Sequence, residues 1–263
     1  MKTIGFIGMG NMAQAILRGF HRAGVIGKED IFAYAPHWEK LLKNSEDIGF
    51  TPCKIAENVI DSADMVVLAC KPYQIEKVLE ENKEKLDGKP IISIAYGWPM
   101  ERAKPYLPKN ARYQYMVPNT PVSVGSGILL VEEANSLTDS ESQFTEKLFG
   151  SIGSYMKLPT DNMGAANAIA GCGPAFIAMV IEALGDAGVK HGLTRKQAYS
   201  LASGVMEGTA KMQKETGLHP AELKDRVCSP GGVTIRGVAA LEEAGMRNAF
   251  FKAVDGTFVT TSK

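Results

Sequence analysis

The stretch Cys228-Ser229-Pro230-Gly231-Gly232-Val233-Thr234-Ile235 joins a Pro-Gly-Gly turn to the start of a helical pattern with a hydroxyl in its first turn. Such a turn leaves backbone N–H groups pointing outward at the positive end of a helix dipole, which suits a carboxylate. Ser229, Pro230, Gly231, Gly232, Val233 and Thr234 are the candidate substrate-binding residues. Thr234, whose hydroxyl adds a donor and acceptor beside the anion, is the candidate catalytic residue. The plainer alternative is a tight turn with Thr234 as an ordinary residue of the first helical turn.

The other end of the chain tips that balance. Gly8-Met9-Gly10-Asn11-Met12-Ala13 follows an apolar run ending at Ile7 and opens a helical pattern, a Gly-x-Gly-x-x-Ala fingerprint. Gly8 permits the tight turn, Gly10 lets the backbone approach a pyrophosphate, and Ala13 lets helix and strand pack closely. A structural Gly-rich turn would look the same in isolation. Placed between a strand and a helix, with further units of that kind behind it, the fingerprint points to a dinucleotide held by Ile7, Gly8, Met9, Gly10, Asn11 and Met12. The two ends together suggest a reductase for a small carboxylated substrate.

Which dinucleotide depends on the end of the second strand. NAD enzymes usually place an acid there for the ribose 2′-hydroxyl, and a carboxylate would repel a 2′-phosphate. Here the strand ends Tyr34-Ala35-Pro36-His37-Trp38, with Lys40 one turn on. No acid stands at the tip, so Ala35, Pro36, His37 and Lys40 favour NADP(H), with NAD(H) the alternative; Lys40 as a solvated helix residue is an equal reading. Ligands bind beyond the carboxyl ends of such strands, so Ala69-Cys70-Lys71-Pro72 and Ala95-Tyr96-Gly97 join the candidate cofactor site. Lys71 is either a neighbour of phosphate or ribose, or a surface charge. Asn119, Thr120 and Pro121, in Met116-Val117-Pro118-Asn119-Thr120-Pro121, form a rigid polar loop where a nicotinamide would lie.

These sites need a scaffold. Apolar runs Lys2–Ile7, Ile31–Tyr34, Met65–Cys70, Pro90–Ala95 and Tyr113–Val117 predict buried strands, and Met12–Ala23, Trp38–Ile48 and Gln74–Glu84 predict the helices between them. Gly127–Val131 and Ser154–Lys157, around a helix from about Asp139 to Gly150, extend the sheet. The fold class is α/β: a Rossmann-type, doubly wound parallel sheet over residues 1–160, followed by an all-helical dimerisation and substrate domain over residues 161–263. The predicted helices of that second part are Asp161–Lys190, Thr194–Thr216, Pro220–Val227, Thr234–Ala244 and Met246–Thr261. The first is apolar on all sides and rich in small residues, so a second chain is its expected cover. Pro174 within it predicts a kink.

The remaining composition excludes several classes. Of the 263 residues, 45% are hydrophobic and 22% charged, as in a globular protein. The 29 basic and 29 acidic residues cancel, so no field recruits nucleic acid or an anionic membrane. No uninterrupted apolar run reaches the length of a membrane span, and Met1-Lys2-Thr3-Ile4 enters a strand without a signal-peptide core. The cysteines at 53, 70, 172 and 228 lie far apart without C-x-x-C pairing, suggesting reduced thiols in a cytoplasmic protein. His21, His37, His191 and His219 lack metal-ligand spacing, and no metal is expected.

Read in order, the motifs resemble those of the pyrroline-5-carboxylate reductases over essentially the whole chain. They are Gly8-Met9-Gly10-Asn11-Met12, Lys71-Pro72, Ser93-Ile94-Ala95-Tyr96-Gly97, Met116 to Pro121, Gly171-Cys172-Gly173-Pro174-Ala175-Phe176, Asp186-Ala187-Gly188-Val189 and Ser229 to Ile235. The resemblance implies reduction of the cyclic imine of 1-pyrroline-5-carboxylate to L-proline, the last step of proline synthesis. It implies that Thr234 hydrogen-bonds the ring nitrogen while Ser229–Val233 hold the carboxylate through backbone N–H groups. Asn58 and the Ala35-Pro36 tip would lie near the adenosine end, and Ala95 to Gly97 near the nicotinamide. It further implies an interlocked homodimer through the C-terminal helices, with a decamer as a higher assembly and each site formed jointly by two subunits. Cys172, Tyr96, Gly164 and Asn167 depart from the family pattern. A β-hydroxyacid dehydrogenase or imine reductase shares the layout, but those dehydrogenases use a Lys on the long helix, and Met163 to Gly185 contains none. A non-catalytic NADP-binding protein is the rival from another class; it would have no use for the Ser229–Thr234 cradle.

Overall fold

A computed structural model describes residues 2–258, which form two compact units divided between Gly171 and Cys172. The first unit runs β1 (Ile4–Ile7), α1 (Asn11–Ala23), β2 (Ile31–Tyr34), α2 (Trp38–Ile48), β3 (Thr51–Cys53), α3 (Ala56–Ser62), β4 (Met65–Leu68), α4 (Ile75–Glu81), β5 (Pro90–Ser93), α5 (Met100–Ala103) and β6 (Arg112–Pro118). It ends with β7 (Gly127–Asn135), α6 (Asp139–Gly150), β8 (Gly153–Leu158) and α7 (Met163–Ala170).

The eight strands make one sheet in the order β3-β2-β1-β4-β5-β6-β7-β8. Strands β1 to β6 are parallel, as alternating strands and crossover helices demand. The far edge departs from the expected parallel sheet: β7 runs antiparallel to β6, and β8 runs parallel to β7. The unit β3–α3 is a further departure, absent from the sequence reading because Thr51-Pro52-Cys53 is short and interrupted by proline, which is confined to edge strands. At the sheet's centre the side chains alternate between two cores. Ile4, Phe6, Met65 and Val67 join the cluster beneath α1 and α2, whereas Ile7, Val66 and Leu68 join the one beneath α3 and α4. Each fully buried side chain of this kind contributes about 1.5–3 kcal/mol.

The second unit is α8 (Gly173–Lys190), α9 (Arg195–Thr216), α10 (Pro220–Arg226), α11 (Val233–Glu243) and α12 (Met246–Gly256). The single helix expected over Asp161–Lys190 is two helices, broken at Gly171-Cys172. Met163 and Ala170 pack into the sheet's second core, which places α7 in the first unit. Pro174 sits in the first turn of α8 and has no N–H to give the Ala170 carbonyl, which Asn119 bonds instead, so the expected loss of one backbone hydrogen bond falls at this break. The last expected helix ends at Gly256, and its predicted residues 259–261 lie outside the described region.

Within the second unit, α8 lies against α9 so closely that a Cβ on Gly185 would meet the Tyr199 ring at 2.3 Å. Thr194 opens α9 with a reciprocal cap to Gln197. Much apolar surface is left over. Gly185 alone is buried in α8, no residue is buried in α11 or α12, and Ile177, Met179, Leu201, Val205 and Phe251 are exposed. The segment Thr160–Lys190 reaches a mean hydropathy of 1.7, long and apolar enough by composition to cross a membrane. In the structure it is the pair α7 and α8, separated by the break at Gly171.

The start of β1 is held by Asp64, whose carboxylate accepts the N–H of Lys2 at 2.7 Å and of Thr3 at 3.2 Å. These bonds, led by that from Lys2, hold the carboxyl below the usual aspartate range. A folded-state pKa depressed in this way stabilises the fold above about 3.8, the unfolded value, and that contribution disappears as pH falls through the folded value. Urea midpoints of the wild type and Asp64→Asn are expected to differ near neutral pH and to converge in acid; a gap that persists at the lowest pH would contradict the clamp.

Candidate functional site

The fingerprint turn is built by close approach. Gly8 has φ +105°, and a Cβ there would lie 2.6 Å from the backbone of Ala69 and Cys70, so the turn after β1 rests directly on the end of β4. Its N–H donates to the Tyr34 carbonyl at 2.8 Å, tying it to β2 as well. Gly10 differs: a Cβ there would meet nothing within 4 Å, which leaves open space above the start of α1. Gly10 is the N-cap of α1, and no side chain caps that end. The first-turn amides are thus presented to a ligand beside a bare α-carbon, an arrangement that fits a dinucleotide pyrophosphate. Ile7 and Met9 have their side chains in the two cores, so they can serve a ligand only through their backbone; Met12 is half-buried, and Asn11 is exposed.

Around this turn the sheet's carboxyl edge gathers the other sequence candidates. Pro36, His37 and Lys40 are exposed beyond β2, and Ala35 is half-buried. Asn58 is exposed in the first turn of α3. Lys71 and Pro72 are exposed beyond β4, with Ala69 and Cys70 half-buried before them. Burial pushes the Cys70 thiol up to about 11 and raises that of Cys53, so both are poor nucleophiles.

Beyond β5, Ala95 is buried, Tyr96 is exposed and Gly97 turns with φ +78°. This loop is held by residues that sequence reasoning passed over. The Tyr115 hydroxyl accepts the Gly97 N–H at 3.1 Å, and the Tyr113 hydroxyl donates to the Trp98 carbonyl at 2.6 Å. Burial raises both phenols, Tyr115 to about 12, so both stay neutral. The buried Glu132 accepts the Met100 N–H at 2.8 Å and the Thr160 hydroxyl at 2.6 Å. The Trp98 indole donates to the Pro72 carbonyl at 2.7 Å, which locks the loops after β4 and β5 together. Hydroxyl-bearing rings at alternate positions of β6, Tyr113 and Tyr115, and the acid Glu132 after the apolar run of β7 were the available signal.

Asn119 occupies the loop after β6, where a nicotinamide contact was expected, but its side chain is committed elsewhere. Its amide donates to the Ala170 carbonyl at 2.9 Å, and its carbonyl accepts the Ile128 N–H at 2.8 Å. The residue is buried, a strut between β7 and the end of α7. Thr120 is exposed and Pro121 half-buried beside it.

In the second unit, Ser229–Gly232 is a turn in which the Gly232 N–H donates to the Ser229 carbonyl at 3.0 Å, with Gly231 at φ +68°. Pro230 and Gly231 thus occupy the central positions that a type II turn requires. Gly232 is the N-cap of α11 without a side-chain cap; Ser229, Val233 and Thr234 are exposed. Arg236, unnoticed in the sequence, reaches back to the Gly232 carbonyl at 3.4 Å. No group of His, Cys, Asp and Glu suited to a metal occurs among the described residues.

A Gly-rich turn beside an open α-carbon, at the carboxyl edge of a doubly wound sheet, defines a Rossmann-type NAD(P)-dependent oxidoreductase. The comparisons with known proteins agree. Residues 160–263 match the family described as pyrroline-5-carboxylate reductase dimerisation, and residues 3–97 match NADP oxidoreductase, coenzyme F420-dependent. The pyrroline-5-carboxylate reductase of Treponema pallidum is 38% identical over 258 residues, covering 96% of this chain and 97% of that one. That of Escherichia coli is 36% identical, covering 96% and 94%. A crystal structure of the Plasmodium falciparum pyrroline carboxylate reductase with NADP bound superposes with a TM-score of 0.87 at 30% identity, covering 97% and 95%. The chain belongs to the pyrroline-5-carboxylate reductase family.

Two substitutions separate ligand from scaffold. Gly10→Ala is expected to leave the melting temperature unchanged and weaken NADPH binding by about tenfold or more, measured by titration; unchanged affinity would show that no pyrophosphate lies over Gly10. Asn119→Ala strands a buried N–H and a buried carbonyl and is expected to cost about 2–4 kcal/mol of stability by urea unfolding; a loss well under 1 kcal/mol would show that the strut is not needed.

Proposed function

We propose that the protein reduces 1-pyrroline-5-carboxylate to L-proline with NAD(P)H, NADPH being preferred, with residues 1–160 serving the cofactor and residues 161–263 the substrate and dimerisation. The observation that carries the substrate is the uncapped head of α11 behind the Ser229–Gly232 turn. Its amides receive the carboxylate, which a helix N-terminus stabilises without a cationic side chain. Family membership argues against both the β-hydroxyacid dehydrogenase and the non-catalytic reading.

When bound, the nicotinamide supplies the hydride. The protein's own tasks are fewer than in most dehydrogenases. A protonated imine is already electrophilic, so holding the substrate in a fixed attitude supplies most of the acceleration. Thr234, in the first turn of α11, places a neutral hydroxyl next to the carboxylate cradle, where it accepts the ring N–H. A cation at that position would oppose the positive nitrogen, and Arg236 instead bonds the carbonyl side of the turn. Gly10 and the first turn of α1 hold the pyrophosphate, and the braced loop Ala95–Gly97 lines the nicotinamide end.

Dimerisation through the helical half is supported by the apolar side chains that α8, α11 and α12 leave exposed in a single chain, including Ile177, Met179 and Phe251. A decamer is a further step of assembly in the same reading. The four free cysteines suit a reducing compartment such as the cytoplasm.

NADPH oxidation followed by absorbance is expected with pyrroline-5-carboxylate, and no NADP⁺ reduction with hydroxyisobutyrate; the opposite pattern would overturn the assignment. Thr234→Ala is expected to lower kcat by about 10²-fold while NADPH affinity stays unchanged, and Thr234→Ser to restore most of the rate. Equal losses in turnover and cofactor affinity would make Thr234 a structural residue.

A further inference from the structure

We propose that Lys54, poised over Trp38 beside the tip of β2, recognises the 2′-phosphate of NADP(H) and sets the cofactor preference. The inference rests on the proposed NADPH preference and names the residue responsible for it. In the sheet, Tyr34 of β2 pairs with Cys53 of β3, so Ala35 and Lys54 leave the carboxyl edge side by side. In doubly wound folds the second strand's tip is where the adenosine ribose meets the protein. An NAD-type carboxylate is absent from Tyr34-Ala35-Pro36-His37. Lys54 is the cation that the neighbouring strand delivers to the same spot.

Its side chain is not free to wander. The Lys54 Nζ lies 5.7 Å from the centre of the Trp38 ring, and Trp38 is itself half-buried against the first core. None of the ion pairs among the described residues uses Lys54 or Lys40. Of the carboxylates nearest in sequence, Asp47 pairs with Arg18 and Asp61 with Lys85, and Glu57 makes no ion pair with Lys54. A phosphate monoester brings about two negative charges and strong acceptors, whereas the NAD ribose offers a neutral hydroxyl. Lys54 thus discriminates by charge, and Trp38 holds the ammonium in place before the ligand arrives.

The test uses fragments that carry the adenosine end alone, 2′,5′-ADP and 5′-AMP, titrated calorimetrically into the intact protein. The wild type is expected to bind 2′,5′-ADP about tenfold or more tighter than AMP. Lys54→Met, which keeps the apolar stem, is expected to abolish that ratio without changing AMP affinity, and Lys54→Arg to preserve it. The ratio should shrink as salt is raised. Equal binding of the two fragments by the wild type, a parallel loss for both in Lys54→Met, or a loss that follows Lys40→Met in place of Lys54→Met would each overturn the proposal. Wild-type reduction of the imine with NADH, measured beside the titrations, judges the enzymatic assignment separately: its presence keeps that assignment whatever the fragments show.

Discussion

The turn after β1 exists because nothing projects from the α-carbon of Gly8. Any side chain there would strike the peptide joining Ala69 to Cys70 at 2.6 Å, in a region of φ that other residues avoid. The contact brings the ends of β1 and β4 together and fixes the direction in which α1 leaves. From that one approach follow the open space above Gly10, the uncapped head of α1 and the alignment of the carboxyl edge on which Lys54, Lys71 and Gly97 stand. A strand pair splayed by a methyl group would keep its hydrogen bonds only by moving all of these.

The loops around this edge are braced from beneath. Tyr113, Tyr115 and Glu132 each give a buried polar atom to the backbone between Gly97 and Met100, and Trp98 carries the brace across to Pro72. Burying such groups is costly unless every partner is present, and when they are present the network specifies one geometry. The loops after β4 and β5 are thereby held in one geometry at the carboxyl edge of the sheet.

Much of this was legible in the chain. The alternation of strands and helices, the fingerprint and the turn at Ser229–Gly232 are all local patterns, and local patterns survive in sequence. What escaped depends on partners far away. Asn119 between two prolines reads as a ligand contact, yet its amide bonds Ala170, a residue 51 positions on. The reversal of β7 is equally silent, because a buried strand has the same apolar run in either direction. The break at Gly171-Cys172 was legible through Pro174, whose missing N–H leaves the Ala170 carbonyl without a helical donor; that Asn119 takes the donor's place was not. Lys54 follows a strand too short to be recognised, so its neighbourhood with Ala35 had no sequence signature.

The reversed edge of the sheet also sets a distance. Because β8 runs against β6, the chain leaves the sheet at Leu158, opposite Glu132 and several residues along β7 from Ile128, to which Asn119 is bonded. The eight residues of α7 climb about 12 Å back, and the Ala170 carbonyl at their top is fastened by Asn119. The helix therefore works as a gauge: one residue added or removed would change its height by about 1.5 Å and swing its outgoing end by about 100°. Relatives that tolerate insertions in surface loops should keep this segment at constant length.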